Sequence, residues 1–107
     1  MNDIIDALKD VGVPVKFQTY PGSATTYITF FNYLENVESY ADNEKASEGY
    51  YTQVDVWSSG NYNVLVNSVK TALELAGFSI TYITEIYESE TKVFHKIIRI
   101  FKFEEVF

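Results

Sequence analysis

Apolar and polar positions change period several times along the 107 residues, and each period predicts an element. Ile4, Ile5, Leu8 and Val11 recur at helical spacing behind Asn2 or Asp3 as a cap, with Gly12 placed for a left-handed C-terminal residue and Pro14 barring continuation. Val15 to Tyr20 alternates, which predicts a strand ended by Pro21-Gly22-Ser23. Thr25 to Leu34 is β-branched and aromatic. Tyr27, Thr29, Phe31 and Tyr33 fall on one of its faces and Ile28, Phe30 and Leu34 on the other, so both faces ask for cover. From Glu35 to Gly49 the chain turns polar and acidic, with Val37 and Tyr40 as its sizeable apolar groups. That pattern predicts a partly ordered excursion or a long hairpin tip.

Alternation resumes from Tyr50 to Trp57, placing Thr52, Val54 and Val56 inward and Tyr51, Gln53, Asp55 and Trp57 outward, and Ser58-Ser59-Gly60 ends it. Leu65, Val69, Ala72, Leu73 and Ala76 then form a helical stripe, with Asn61 as its N-cap and Gly77 in the C-terminal capping position. Phe78, Ile80, Tyr82 and Ile86 alternate along a strand, Glu88-Ser89-Glu90-Thr91 makes a turn, and Lys92 to Phe103 returns as the second arm of a hairpin. Lys96, Arg99 and Lys102 stand three apart in that arm, which predicts a bulge near Ile97-Ile98. The fold class is α+β: an antiparallel β-sheet with two helices in the order α-β-β-(long excursion)-β-α-β-β. Residues 1–107 read as a single domain without internal repeat or linker.

Charge changes the picture more than size does. Eight Lys and Arg stand against 15 Asp and Glu, giving a net charge of −7, which argues against gripping a phosphate backbone. A surface past which DNA must slide without sticking would suit it. The charge is also uneven. Glu35, Glu38, Asp42, Glu44, Glu48 and Asp55 share their stretch with Lys45, whereas Lys92, Lys96, Arg99 and Lys102 share theirs with no acid. Two short helices cover one face of a small sheet, and the aromatic strands leave large apolar groups on the other, so the second face is expected to meet a partner. Together with the split charge, this favours head-to-tail contact between copies, which closes into a ring when the rotation allows. The start MNDIIDALKD lacks the features of a signal peptide and there is no cysteine, so assembly in a cytoplasm is expected.

Candidate chemistry is thin. With one histidine, His95, and no cysteine, histidine-cysteine zinc clusters and thiol nucleophiles are excluded. Ser58 or Ser59, His95 and an acid would make a hydrolase triad, but no Gly-x-Ser-x-Gly elbow is present. His95 reads more simply as a half-exposed strand histidine, and Asp55 as a solvent-facing residue or the cross-strand partner of a C-terminal base. Ser58-Ser59-Gly60-Asn61 lacks the lysine and spacing of a phosphate loop and reads as helix capping. Asp42-Asn43-Glu44 lacks the ligand spacing of a calcium loop. Aromatics stack single-stranded bases only beside a basic groove, which is missing here. No enzyme, cofactor or metal is expected.

The run Val54-Asp55-Val56-Trp57-Ser58-Ser59-Gly60-Asn61-Tyr62, the helix Leu65 to Ala76 ending Ala76-Gly77-Phe78, and a hairpin with Tyr87-Glu88 and Phe94-His95-Lys96 resemble the tail-completion family. These are the tail-terminator or tail-to-head joining proteins of long-tailed phages and prophages of Gram-positive bacteria. The opening Ile4-Ile5-x-x-Leu8, Gly12-Val13-Pro14 and a strand also fits, so the resemblance covers nearly the whole chain. It implies a virion structural protein, assembled in the host cytoplasm. Such a protein forms a ring, commonly of six copies, on the head-proximal end of the tail tube, ends tube growth and offers the surface on which the head docks. Its implied partners are further copies of itself, the tail tube protein and a head-completion or neck protein; DNA passes through without specific binding and no membrane is involved. In this setting the interface candidates are Asn36, Glu38, Tyr40, Asp42, Glu44, Lys45 and Glu48 on the acidic side, Lys92, Lys96 and Arg99 on the basic side, and the aromatics Tyr51 and Trp57. The alternatives are a phage head-completion, neck or minor tail protein, or a small cellular module that binds a ligand or peptide on its aromatic face.

Overall fold

In a computed structural model the described backbone comprises residues 2–41 and 44–105, with side chains described over 4–33 and 51–102. The elements are α1 (Asn2–Leu8), β1 (Val15–Phe17), β2 (Thr26–Ala41), β3 (Glu44–Ser58), α2 (Asn63–Leu75), β4 (Ser79–Glu88) and β5 (Val93–Glu105). They form one five-stranded sheet in the order β1-β2-β3-β5-β4. All pairings are antiparallel except β1 with β2. That parallel pair was not expected from the sequence; it spans three residues, Val15 to Phe17 beside Ile28 to Phe30. So short a pairing lets the chain double back through Pro21-Gly22 without a crossover helix, starting from a left-handed Gln18 with φ 65°.

Both helices lie on one face. Alternation places Ile28 and Phe30 of β2, Val54 and Val56 of β3, and Ile98 and Ile100 of β5 beneath them, where they pack with Val66, Val69 and Leu73 of α2 and with Ile4 and Leu8 of α1. Val66, absent from the expected stripe, is buried, whereas Leu65 sits at the rim. Asn61 lies just before the helix and its side-chain oxygen accepts a bond from the Asn63 amide at 3.1 Å, while Tyr62 takes the N-cap position with no side-chain cap. The far end closes as the sequence requires: Phe78 donates its amide to the Leu73 carbonyl and Gly77 to that of Glu74, a Schellman arrangement with Gly77 at φ 94°. A Cβ at Gly77 would meet Lys102 Cε at an ordinary 3.6 Å, so the backbone angle sets the cost of a side chain there. Gly77→Ala is therefore expected to destabilise by about 1–2 kcal/mol in urea unfolding, with no change in the cooperativity of the transition.

The acidic excursion is a β-hairpin arm. β2 and β3 stay paired out to Ala41 opposite Glu44, with register irregularities between Asn32 and Leu34, Leu34 and Val37, and Ser39 and Tyr40. This is the long hairpin tip that the sequence offered beside a partly ordered excursion; the irregularities spoil the two-residue period, which is why the sequence left both open. β5 runs beside β3 as far as Glu105, so the arm has a third strand at its base, and the molecule is 53 Å long against 26 and 23 Å across. The bulge expected at Ile97-Ile98 is absent, since β5 follows β3 residue for residue; the irregularity lies in β4, between Ile80 and Tyr82.

Candidate functional site

The sheet face away from the helices carries Tyr27, Thr29 and Tyr33 of β2, Tyr51, Gln53, Asp55 and Trp57 of β3, His95 and Arg99 of β5, and Tyr82 of β4. On one side of its middle, Tyr20 stacks on Tyr27 (ring centroids 4.6 Å), Tyr27 on Trp57 (6.1 Å) and Trp57 on the His95 imidazole (3.6 Å, 12° between planes). On the other side, Tyr51 lies between Tyr33 (5.9 Å) and Phe101 (4.5 Å). β2, β3 and β5 supply one ring each to both rows, and Tyr20 from the β1–β2 connection extends the first, so the cross-strand pairs form two aromatic rows over a helix-free surface.

Asp55 lies between the rows and is only 4% exposed. Its Oδ1 accepts from His95 Nε2 at 2.7 Å and from Gln53 Nε2 at 2.9 Å. Gln53 Oε1 in turn accepts from Arg99 Nε at 3.2 Å. The guanidinium carbon of Arg99 sits over the Tyr33 ring at 5.1 Å and the Tyr82 ring at 5.5 Å. Trp57 donates its indole N–H to Thr29 Oγ1 at 3.1 Å. The polar atoms of this face thus form a connected chain, Arg99 to Gln53 to Asp55 to His95, walled by rings. Asp55 is a cross-strand partner, as one of the two sequence readings has it, but the base it meets is His95, and the pair is shielded from solvent. His95 is more buried than its half-exposed reading, because the Trp57 indole covers one side of its ring.

The same alternation separates Ser58 from His95. Ser58 points to the helix side, bonded to Thr26 Oγ1 at 3.0 Å and accepting the Gly60 amide at 3.1 Å, whereas His95 is on the open face. No group of three or more metal-ligating side chains occurs among the described residues, and no described helix is long and apolar enough to cross a membrane. Near the start of α2, the Tyr62 hydroxyl donates to Glu85 at 2.6 Å, and Lys96 reaches the same carboxylate at 3.7 Å. Burial, reinforced by the Glu85 bond, pushes the Tyr62 phenol above its ordinary range and keeps it a donor.

Of the interface candidates, Tyr51, Trp57 and Arg99 share the open face. Lys96 is on the helix side and Lys92 is exposed in the β4–β5 turn, with a left-handed φ of 56°. Asn36, Glu38 and Tyr40 belong to the β2 arm, Glu44, Lys45 and Glu48 to its β3 partner, and Asp42 lies outside the described residues. Much of the basic segment is engaged within its own chain. It runs alongside β3 of its own chain; Lys96 forms an ion pair with Glu85 at 3.7 Å, Lys102 donates to the Ala76 carbonyl at 3.1 Å, and Arg99 donates its Nε–H to Gln53. Tyr33 and Tyr82, the rings flanking Arg99, were not singled out from sequence as interface residues; only the strand order brings them together. A second apolar surface was also missed. Val64 and Leu75, three helical turns apart, are 81% and 84% exposed along a groove between α1 and α2 floored by small residues such as Ala7 and Ala72.

No family model matches this sequence, and no curated protein matches it. Among solved structures, one chain of a "Virion of native gene transfer agent (GTA) particle" superimposes with a TM-score of 0.69. The match covers 96% of this chain and 92% of that one at 12% sequence identity. A virion chain shares this fold. At that identity the likeness speaks for the architecture, sheet and helices together, and extends nearly end to end in both chains.

Proposed function

We propose that this protein is a structural component of a phage or prophage virion and, within the virion, a tail-completion protein. It caps the head-proximal end of the tail tube as a ring, six copies in the family it resembles, ends tube growth and presents the surface on which the head docks. The observation that carries the virion reading is the near-complete fold match to a virion chain, with neither chain leaving a large unmatched domain. The finer, tail-completion reading is supported by the sequence motifs from Val54 to Tyr62 and around Phe94-His95-Lys96. A helix-free aromatic face and a projecting hairpin arm suit a part that works by contact. The net charge of −7 suits a ring through whose bore DNA passes unbound.

Deleting the gene from its parent phage or prophage and viewing the induced lysate by electron microscopy tests this. Overlong, headless tubes beside filled heads are the expected result. Tails of normal length beside heads that leak DNA would move the protein to the head or neck, and intact virions would overturn the assembly reading.

A further inference from the structure

Lys96 and Lys102 are on the helix side and engaged there, so the cation at the centre of the open face is Arg99. Its Nε is tied to Gln53, and Tyr33 and Tyr82, 40% and 51% exposed, hold the guanidinium between them. No described group bonds its two terminal nitrogens. A planar cation pre-oriented between rings, with its fork of donors open to solvent, is a carboxylate receptor and has the composition of an interface hot spot. Lys16, opposite Thr29 on β1, adds a second positive charge to the same face; Asp55 is buried and already paired, and Glu88 is at the remote hairpin end.

The complementary charge is in the arm. Glu38, Glu48 and Glu104 stand directly opposite one another on β2, β3 and β5, one row across three adjacent strands. Like charges in cross-strand register repel, so such a row gains from a cation brought to it. The arm's own chain does not bring Arg99 to this row, because Arg99 and Glu104 are five residues apart on β5, and an odd interval in an unbroken register puts the two positions on opposite faces of the strand.

We infer that the open sheet face receives the hairpin arm of a second copy of this chain, with Arg99 entering the row of Glu38, Glu48 and Glu104. The inference rests on the assembly reading above and sharpens it. The two surfaces differ, so the contact is heterologous and propagates around a ring.

The native chain has no cysteine, which makes single-cysteine trapping clean. Full-length Arg99→Cys and Glu48→Cys chains are mixed and oxidised, with Thr71→Cys on the helix side plus Glu48→Cys as the control pair. A disulfide-linked heterodimer is expected from the first mixture and not from the control. In the deletion strain, Arg99→Glu is expected to lower complementation by about 30-fold, and Arg99→Glu with Glu48→Arg in one chain to return it to within about threefold of the native level. Trapping no greater than the control, a double variant no better than the single one, or capture of Arg99→Cys by a different virion protein would each overturn the inference. Should the deletion itself leave intact virions, the assembly reading fails, and the mixture of purified chains still decides whether copies meet through these surfaces.

Discussion

Phe30→Ala is expected to destabilise the fold by about 3–5 kcal/mol and to lower its thermal midpoint by about 10–25 °C. Phe30 is the largest of the fully buried side chains. It lies on β2 under the helix layer, opposite Val54, with the Phe17 ring tilted against it at 5.5 Å. Removing the ring leaves a cavity that the sheet cannot close, because the flanking β1 and β3 are held by their own ladder bonds. Tyr33, three positions along the same strand on the open face, makes the comparison. It is 40% exposed, so Tyr33→Ala is expected to cost within about 1 kcal/mol while removing one of the two rings that hold Arg99. Chemical denaturation of both variants measures the contrast. Equal losses would mean that the open face is as much a core as the helix-covered one, and that copies do not need it.

The contrast between those two residues was largely legible in the sequence, and the reasons for success and failure are physical. Alternation over Tyr50 to Trp57 separated Val54 and Val56 from Asp55 and Trp57 correctly, because β3 follows β5 without a break and a two-residue period survives intact. The stripe and the terminal glycine of α2 located that helix to within about two residues, since capping and amphipathicity are local signals. The arm was readable only as an alternative to disorder, because three register irregularities in its pairing erase the period. The fate of the basic residues was not readable at all. A three-residue spacing in a strand puts Lys96 and Lys102 on one face and Arg99 on the other, and only the neighbouring strand and helix end decide that the lysines are satisfied at Glu85 and Ala76. The partnership of Asp55 with His95 joins residues 40 apart, and no local pattern announces it.

That pair gives the second large expected effect. Asp55→Ala should destabilise by about 2–4 kcal/mol, because it strips the shared acceptor from two donors, one of them an imidazole sealed beneath an indole. Asp55→Asn keeps an acceptor oxygen in the same place and should cost about 1 kcal/mol less than that. Most of the alanine penalty is the orphaned histidine, so adding His95→Phe, which keeps a ring on Trp57 and needs no acceptor, should recover about 1–2 kcal/mol relative to Asp55→Ala alone. Gln53, at the edge of the pair, turns to water in the double variant at little cost, since it is half-exposed. A urea-unfolding double-mutant cycle reads the coupling directly. A carboxylate serving chemistry would behave in the opposite way: stability would change little on Asp55→Asn while function disappeared. A carboxylate serving architecture loses stability in proportion to the donors left unpaired, and tail length and head attachment follow only as far as the open face is deformed. Near-additivity in the cycle would break this account of the face, because the chain from Arg99 through Gln53 and Asp55 to His95 would then hold nothing in place.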